Sequence, residues 1–334
     1  MKILSICITS YNRPKELERC LKSIDTKYKN DIEIIVSEDA SPKREEIKSV
    51  AKKFEKNTEY SFYCNFNEIN LGYDNNLAKL ISLSNSKYTL FVSDDDAFNT
   101  KCLDTIIELL KEKDIPLLYT AYSSKDSKAT NRRYVGDFKI DSGERSVRKY
   151  MYDSILFSGL IFKNDIVKKI SAKKFVNLNY FQVYLFMYTI YYYGGYYKSI
   201  ELIDCIEDGE NGYGTTELSK KDPLLADRSS VFSNLQFNKG LIKVIKMFDK
   251  TAATNIFPYF EKEYSLRSYR GLSRARSMGR TTLKKYWEFM HNIGVKVKFP
   301  ANIYYILLFI LGNKVCDLLF DMPRKLIYKI RRQK

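Results

Sequence analysis

Three consecutive aspartates, Asp94-Asp95-Asp96, are the residues in this chain whose type and spacing most plainly ask for chemistry. Adjacent carboxylates repel one another, so at the end of an apolar run they need a cation, a basic partner or open water. A divalent ion with oxygen ligands relieves that repulsion. Such an ion is usually held by one or two carboxylates together with substrate phosphates. Two further polar clusters invite the same reading. Thr9-Ser10-Tyr11-Asn12-Arg13-Pro14 offers a ring that can stack on a base and a guanidinium that can reach a phosphate. Glu38-Asp39-Ala40-Ser41 offers a carboxylate that can accept an N–H from a base. Taken alone, each cluster also reads as helix capping or a solvated turn.

The elements that must position these clusters follow from hydropathy. Apolar runs at 3–8, 32–36, 60–64, 88–92 and 117–122 read as buried strands. Helical spacing follows Pro14 (Leu17, Leu21, Ile24) and Pro42, and recurs over 76–83 and 103–110. Residues 155–162 read as a further strand, and 181–193 as an aromatic helix closed by Gly194-Gly195. Strands alternating with helices predict a mostly parallel sheet covered on both faces, an α/β, Rossmann-like fold. In such sheets ligands bind beyond the carboxyl ends of the strands. All three polar clusters fall at such ends.

Charge divides the chain. Residues 1–227 are balanced, whereas residues 228–334 carry the whole excess of +16. We expect a domain over 1–227 and a basic helical extension over 228–334 that meets an anionic partner, a membrane surface or a nucleic acid. Apolar blocks at 303–311 and 315–320, followed by Arg324, Lys325, Lys329, Arg331, Arg332 and Lys334, read as an interfacial helix pair. No run reaches the roughly 20 apolar residues of a spanning helix, and 303–311 is too short to cross. The N-terminus lacks the pattern of a secretory signal. The six cysteines are scattered without a CxxC pair, which favours free thiols. One histidine, His291, excludes mechanisms that need two. The acidic sheet end and the lack of a recognised motif count against nucleic acid as the partner.

The segments 5–14 and 33–41, then Asn70-Leu71-Gly72 with Asn76, then 88–96, together resemble inverting family 2 glycosyltransferases of the GT-A fold. The resemblance implies a nucleoside-diphosphate sugar donor, UDP-linked, and a lipid-linked or glycan acceptor in polysaccharide synthesis at the inner face of the cell membrane. It implies donor contacts from Thr9, Tyr11, Arg13, Asp39, Asn70, Asn76, Asp94 and Asp95. It also implies a Mn²⁺ or Mg²⁺ on Asp95 and Asp96. Ser93 stands where the family's metal motif has its first aspartate. The helix start where the family carries its base reads Asn177-Leu178-Asn179-Tyr180-Phe181-Gln182, and Gln182 cannot act as a base. Asp153, Asp204, Glu207 and Asp208 are the nearest carboxylates in sequence. The alternative is an inactive GT-A scaffold at the membrane.

Overall fold

The structure is a computed structural model. It describes residues 1–99, 102–124, 129–131, 134–175, 177–206 and 231–332. The chain divides into two compact units, Met1–Tyr213 and Gly214–Lys334. The expected boundary at 227/228 lies outside the described residues.

The first unit is built on one sheet. β1 (Leu4–Ser10), β2 (Ile32–Glu38), β3 (Ser61–Phe66) and β4 (Tyr88–Ser93) are parallel, in the order β3-β2-β1-β4. Three helices return the chain between them: α1 (Pro14–Lys22), α2 (Arg44–Asn57) and α3 (Tyr73–Leu83). β1 is buried on both faces, as its unbroken apolar run requires. Leu4, Ile6 and Ile8 join one core layer with Leu17 and Leu21 of α1. Cys7, on the opposite face, reaches the Leu80 carbonyl of α3. Leu17 and Leu21 have almost no exposure, so each contributes roughly 1.5–3 kcal/mol by burial.

The rest of the sheet departs from parallel pairing. After β5 (Ala97–Phe98) and α4 (Cys102–Glu112) come β6 (Leu117–Ser124), β7 (Ala129–Asn131) and β8 (Phe138–Ile140). Then follow α5 (Glu144–Tyr150), β9 (Leu160–Lys163), α6 (Asn164–Val167), α7 (Phe181–Tyr193) and β10 (Gly195–Cys205). β9 wedges between β4 and β6 and is antiparallel to both. β10 runs parallel to β6 and pairs antiparallel with β5 and β8. The parallel character therefore belongs to the first four strands and the β6–β10 pair. Gly159 turns the chain into β9 with φ +90°, and a Cβ there would sit 3.1 Å from Thr120 Oγ1.

The second unit contains α8 (Ser233–Ala252), α9 (Phe257–Arg267), α10 (Tyr269–Ser277), α11 (Arg280–Asn292) and α12 (Phe299–Arg332). The expectation that nothing here is long enough to span a membrane is corrected. Phe299–Phe320, 22 residues long, passes on length and composition, with mean hydropathy 1.7 in its most apolar 18 residues, because Lys314 and Asp317 are its only charges. The helix is nevertheless broken at Gly312, whose φ of 76° and ψ of −179° are not helical.

Candidate active site

Strand order places the site. From β1 the chain steps to β2 and β3 on one side, while β4 lies on the other, so the β1–β4 gap is the point where strand order reverses. In such sheets the crevice at that point, beyond the carboxyl ends, receives the ligand. The segments leaving β1, β2 and β4 meet there.

Across the β1–β4 gap, Arg13 faces the aspartates. Its Nη1 lies 3.0 Å from Asp94 Oδ1 and 2.8 Å from Asp95 Oδ2. The Tyr11 N–H donates to Asp94 Oδ2 at 3.2 Å. Asp94 is buried, and burial pushes its carboxyl up to about 7 although Arg13 pulls the other way. Asp95 keeps 16% of its side chain exposed and accepts the Ser93 hydroxyl on Oδ1. Arg19 Nη2 holds the Asp95 carbonyl at 2.7 Å. Asp96 is buried against the Ser158 hydroxyl and the Ile206 N–H, and burial raises its carboxyl to about 7.

Asp39 closes the β2 side. Its Oδ1 accepts from Asn67 Nδ2 at 2.9 Å and from the Leu71 N–H at 2.8 Å, and its Oδ2 accepts the Gly72 N–H at 3.0 Å. A carboxylate offers about four acceptor positions, so one remains for a ligand N–H. Burial raises its carboxyl above the ordinary value. Asn12 and Ala40, the residues that turn the chain after β1 and β2, adopt φ of 62° and 53°, which non-glycine residues seldom do. Ser10 Oγ and Ser41 Oγ nearby are buried without a protein partner, as is Asn12 Oδ1. Buried hydroxyls and amides normally find partners. Three unmatched ones beside one crevice fit a polar ligand that supplies them.

The other expected contacts sort by geometry. Thr9 is partly exposed at the end of β1, in register with Ser93 of β4. Asn70 is exposed and accepts the Gly72 N–H through Oδ1. Asn76 is a buried tie behind the crevice. Its Nδ2 donates to the Ser37 carbonyl, and its Oδ1 accepts from Ser37 Oγ and Asn67 Nδ2. Asp153 takes the hydroxyls of Tyr119 and Tyr134. Asp204 is buried, receives Ser123 Oγ and lies opposite Ala97 in the β10–β5 pair. Glu207 and Asp208 lie outside the described residues. Glu38, which the sequence grouped with Asp39, is fully buried and holds Arg44 and the N–H groups of Ala40 and Ser41.

Asp74 is the residue that sequence reasoning passed over. It is 1% exposed and accepts the N–H groups of Leu178, Asn179 and Phe181 at 2.9, 2.7 and 2.9 Å. Asn177 and Asn179 take positive φ there. Asp74 thus pins the turn that opens α7 onto the helix that follows the Asp39-bound loop. An acidic residue in a first helical turn is its only sequence signal, and its partners lie over 100 residues away. Gln182 sits in the first turn of α7, buried, with its Oε1 unpaired.

The fit for a divalent cation is partial. Among the described residues no three acidic, His or Cys side chains form a metal cluster. Asp96, expected as a second ligand, is turned to Ser158 and Ile206, so Asp95 is the carboxylate presented to the crevice. That set suits an ion ligated mostly by substrate phosphates.

Taken together, the sheet and its covering helices define an α/β domain of the GT-A class. Residues 5–167, just under half of the chain, match the family model Glycosyl transferase family 2. It is 35% identical over 97 residues to the abequosyltransferase RfbV of Salmonella typhimurium, covering 28% of each chain. It is 29% identical over 112 residues to the GalNAc(5)-diNAcBac-PP-undecaprenol beta-1,3-glucosyltransferase of Campylobacter jejuni, covering 34% of this chain and 36% of that one. The matches thus span about a third of these relatives' lengths. In fold, the chain is similar to S. aureus TarS 1–349 in complex with UDP-GlcNAc, with a TM-score of 0.53, 11% identity, and coverage of 92% and 91%.

Proposed function

We propose that this chain transfers a sugar, with inversion, from a UDP-linked donor to a hydroxyl of a lipid-linked or glycan acceptor in cell-surface polysaccharide synthesis. The observation that carries the reading is the β1–β4 crevice, where Arg13, Asp94 and Asp95 meet beside Asp39 and three unmatched polar atoms. Asp39 keeps an acceptor position for a base N–H, and Tyr11 offers a ring to stack on it. Arg13 can turn a donor N–H toward phosphate oxygens while still neutralising Asp94. Asp95, helped by substrate phosphates, would hold a Mn²⁺ or Mg²⁺, which when bound supplies positive charge to the departing diphosphate. The names of the relatives support transfer of a sugar, and that of the Campylobacter protein supports an undecaprenol-linked acceptor. The UDP-GlcNAc complex of the fold neighbour supports a uridine donor. Such an acceptor supports work at a membrane, and the inner face of the cell membrane is part of this proposal.

The test is a thermal-shift panel of UDP-, GDP- and dTDP-sugars with and without Mn²⁺, followed by assay of nucleoside diphosphate release. UDP-sugars should raise the melting temperature most, and more with Mn²⁺. A panel in which no nucleotide sugar shifts the protein and none is consumed sinks the proposal.

A further inference from the structure

α12 is built inside out for a helix meant to face water. The residues it exposes are apolar: Ile306, Ile310, Leu311, Val315, Leu318 and Leu319 are each between 44% and 63% exposed. After Gly312, Val315, Leu318 and Leu319 follow one another at three- and four-residue helical spacing, one continuous stripe. Two of its polar side chains, Asn313 and Asp317, turn onto α10. Asn313 Nδ2 donates to the carbonyl and hydroxyl of Ser273 at 2.6 and 2.7 Å. Asp317 Oδ1 accepts the Tyr269 hydroxyl at 2.6 Å. At the break, Arg276 Nε donates to the Leu308 carbonyl at 2.9 Å.

Two constraints follow. A stripe of this size on a water-facing helix marks a surface that something apolar covers. The covering medium also meets cations. Arg280 and Lys284 of α11 stand over the Phe309 ring at 5.2 and 5.5 Å, and Lys314 is exposed on α12 itself. Residues 228–334 carry the chain's entire net charge of +16. An apolar stripe edged by long cationic side chains suits the boundary of an anionic bilayer, where the stems lie among acyl chains and the heads among phosphates.

The same contacts argue against crossing the bilayer. A spanning α12 would carry the Gly312 break, the Arg276 guanidinium and the Asp317–Tyr269 pair into hydrocarbon. There an interrupted helix and a charge are both costly. We propose that α12 is a monotopic anchor. It lies in the plane of an anionic lipid surface, stripe inward, and is held to its own unit by α10. This deepens the membrane location proposed above and is tested without turnover, so its failure leaves the donor site untouched.

The experiment is co-sedimentation of the full chain with phosphatidylcholine vesicles, with and without phosphatidylglycerol. Anionic vesicles should be bound and neutral ones much less, with binding weakened by salt. The pair Ile310→Asp and Leu318→Asp should lower binding by at least about tenfold while circular dichroism is unchanged. Should those variants misfold, Arg280→Glu with Lys284→Glu should weaken binding to anionic vesicles alone. Alkaline carbonate should release the chain from cell membranes. Retention in carbonate would mean a spanning helix and overturn the proposal. Indifference to anionic lipid would overturn it too, as would a concentration-dependent dimer that the Asp variants dissociate, since the stripe would then belong to a second copy.

Discussion

Two buried carboxylates beyond the same edge of the sheet, Asp94 and Asp74, are satisfied in different ways. Beside the β1–β4 crevice, Asp94 is neutralised by a side chain, the Arg13 guanidinium, which also touches the more exposed Asp95. At the opening of α7, Asp74 is satisfied by backbone N–H groups alone. Backbone donors fixed in a turn are not exchanged without unfolding that turn. A guanidinium on a flexible stem can be shared with an incoming anion. Burial raises both carboxyls, Asp94 to about 7 and Asp74 to about 6, so burial alone does not separate a binding site from a clamp. The identity of the partner does.

The largest effect that would break this contrast is at Asp95. Its side chain is the least desolvated of the three aspartates, so Asp95→Asn should leave melting behaviour nearly unchanged. If it carries charge stabilisation for the leaving group, turnover of a UDP-sugar should fall by about 10²–10³-fold. Steady-state release of nucleoside diphosphate measures it. A variant with full activity would make the crevice a structural cluster like the one at Asp74.

Next in size is Arg13→Gln. Removing one partner of a buried pair strands the other, which costs about 3 kcal/mol or more. Urea denaturation should register that loss. The double variant Arg13→Gln, Asp94→Asn should recover part of it, because the more buried of the two carboxylates that Arg13 touches no longer carries a charge. Purely additive losses would mean that Arg13 stabilises through packing and not through Asp94.

Much of the crevice was legible in the sequence because parallel strands write themselves as continuous apolar runs. Residues 3–8, 32–36 and 88–92 announce β1, β2 and β4, and whatever follows them must sit at one edge of the sheet. Arg13, Asp39 and Asp95 each follow one of these runs, so strand order alone brings them to the same edge. The pattern could not show direction. The run at 155–162 is apolar, yet nothing in four residues of β9 says that it pairs antiparallel between β4 and β6. Nor could it tell Asn76 from a ligand contact, since both uses want an amide at that position. Asp96 looked like its neighbours until Ser158 and Ile206, far along the chain, were seen to claim it. The two apolar blocks of α12 read as a helix pair because Gly312 and Lys314 divide the pattern, and the backbone is indeed broken between them at Gly312.

The smallest expected effect sharpens the other side of the contrast. In Asp74→Asn, a single carbonyl oxygen can keep at most two of the three N–H groups, so one buried donor loses its partner. We expect a loss of about 1–3 kcal/mol, with the α7 opening loosened and the Asp39 side intact. UDP-sugar binding should therefore change less than turnover does. The pH dependence separates this from a generic packing defect. The Asp74 carboxyl titrates near 6 in the folded chain and near the ordinary 3.8 when unfolded. The folded state then holds its proton more tightly, so this group's contribution to stability is fully present at low pH and is lost as pH rises through about 6. Asparagine does not titrate, and the other groups cancel in the difference. The stability gap between wild type and Asp74→Asn should thus be wider at pH 5 than at pH 7.5. Melting curves of the two proteins across that range decide it: a gap that stays constant or widens with rising pH would mean that Asp74 is not the buried, backbone-bound carboxylate on which the contrast rests.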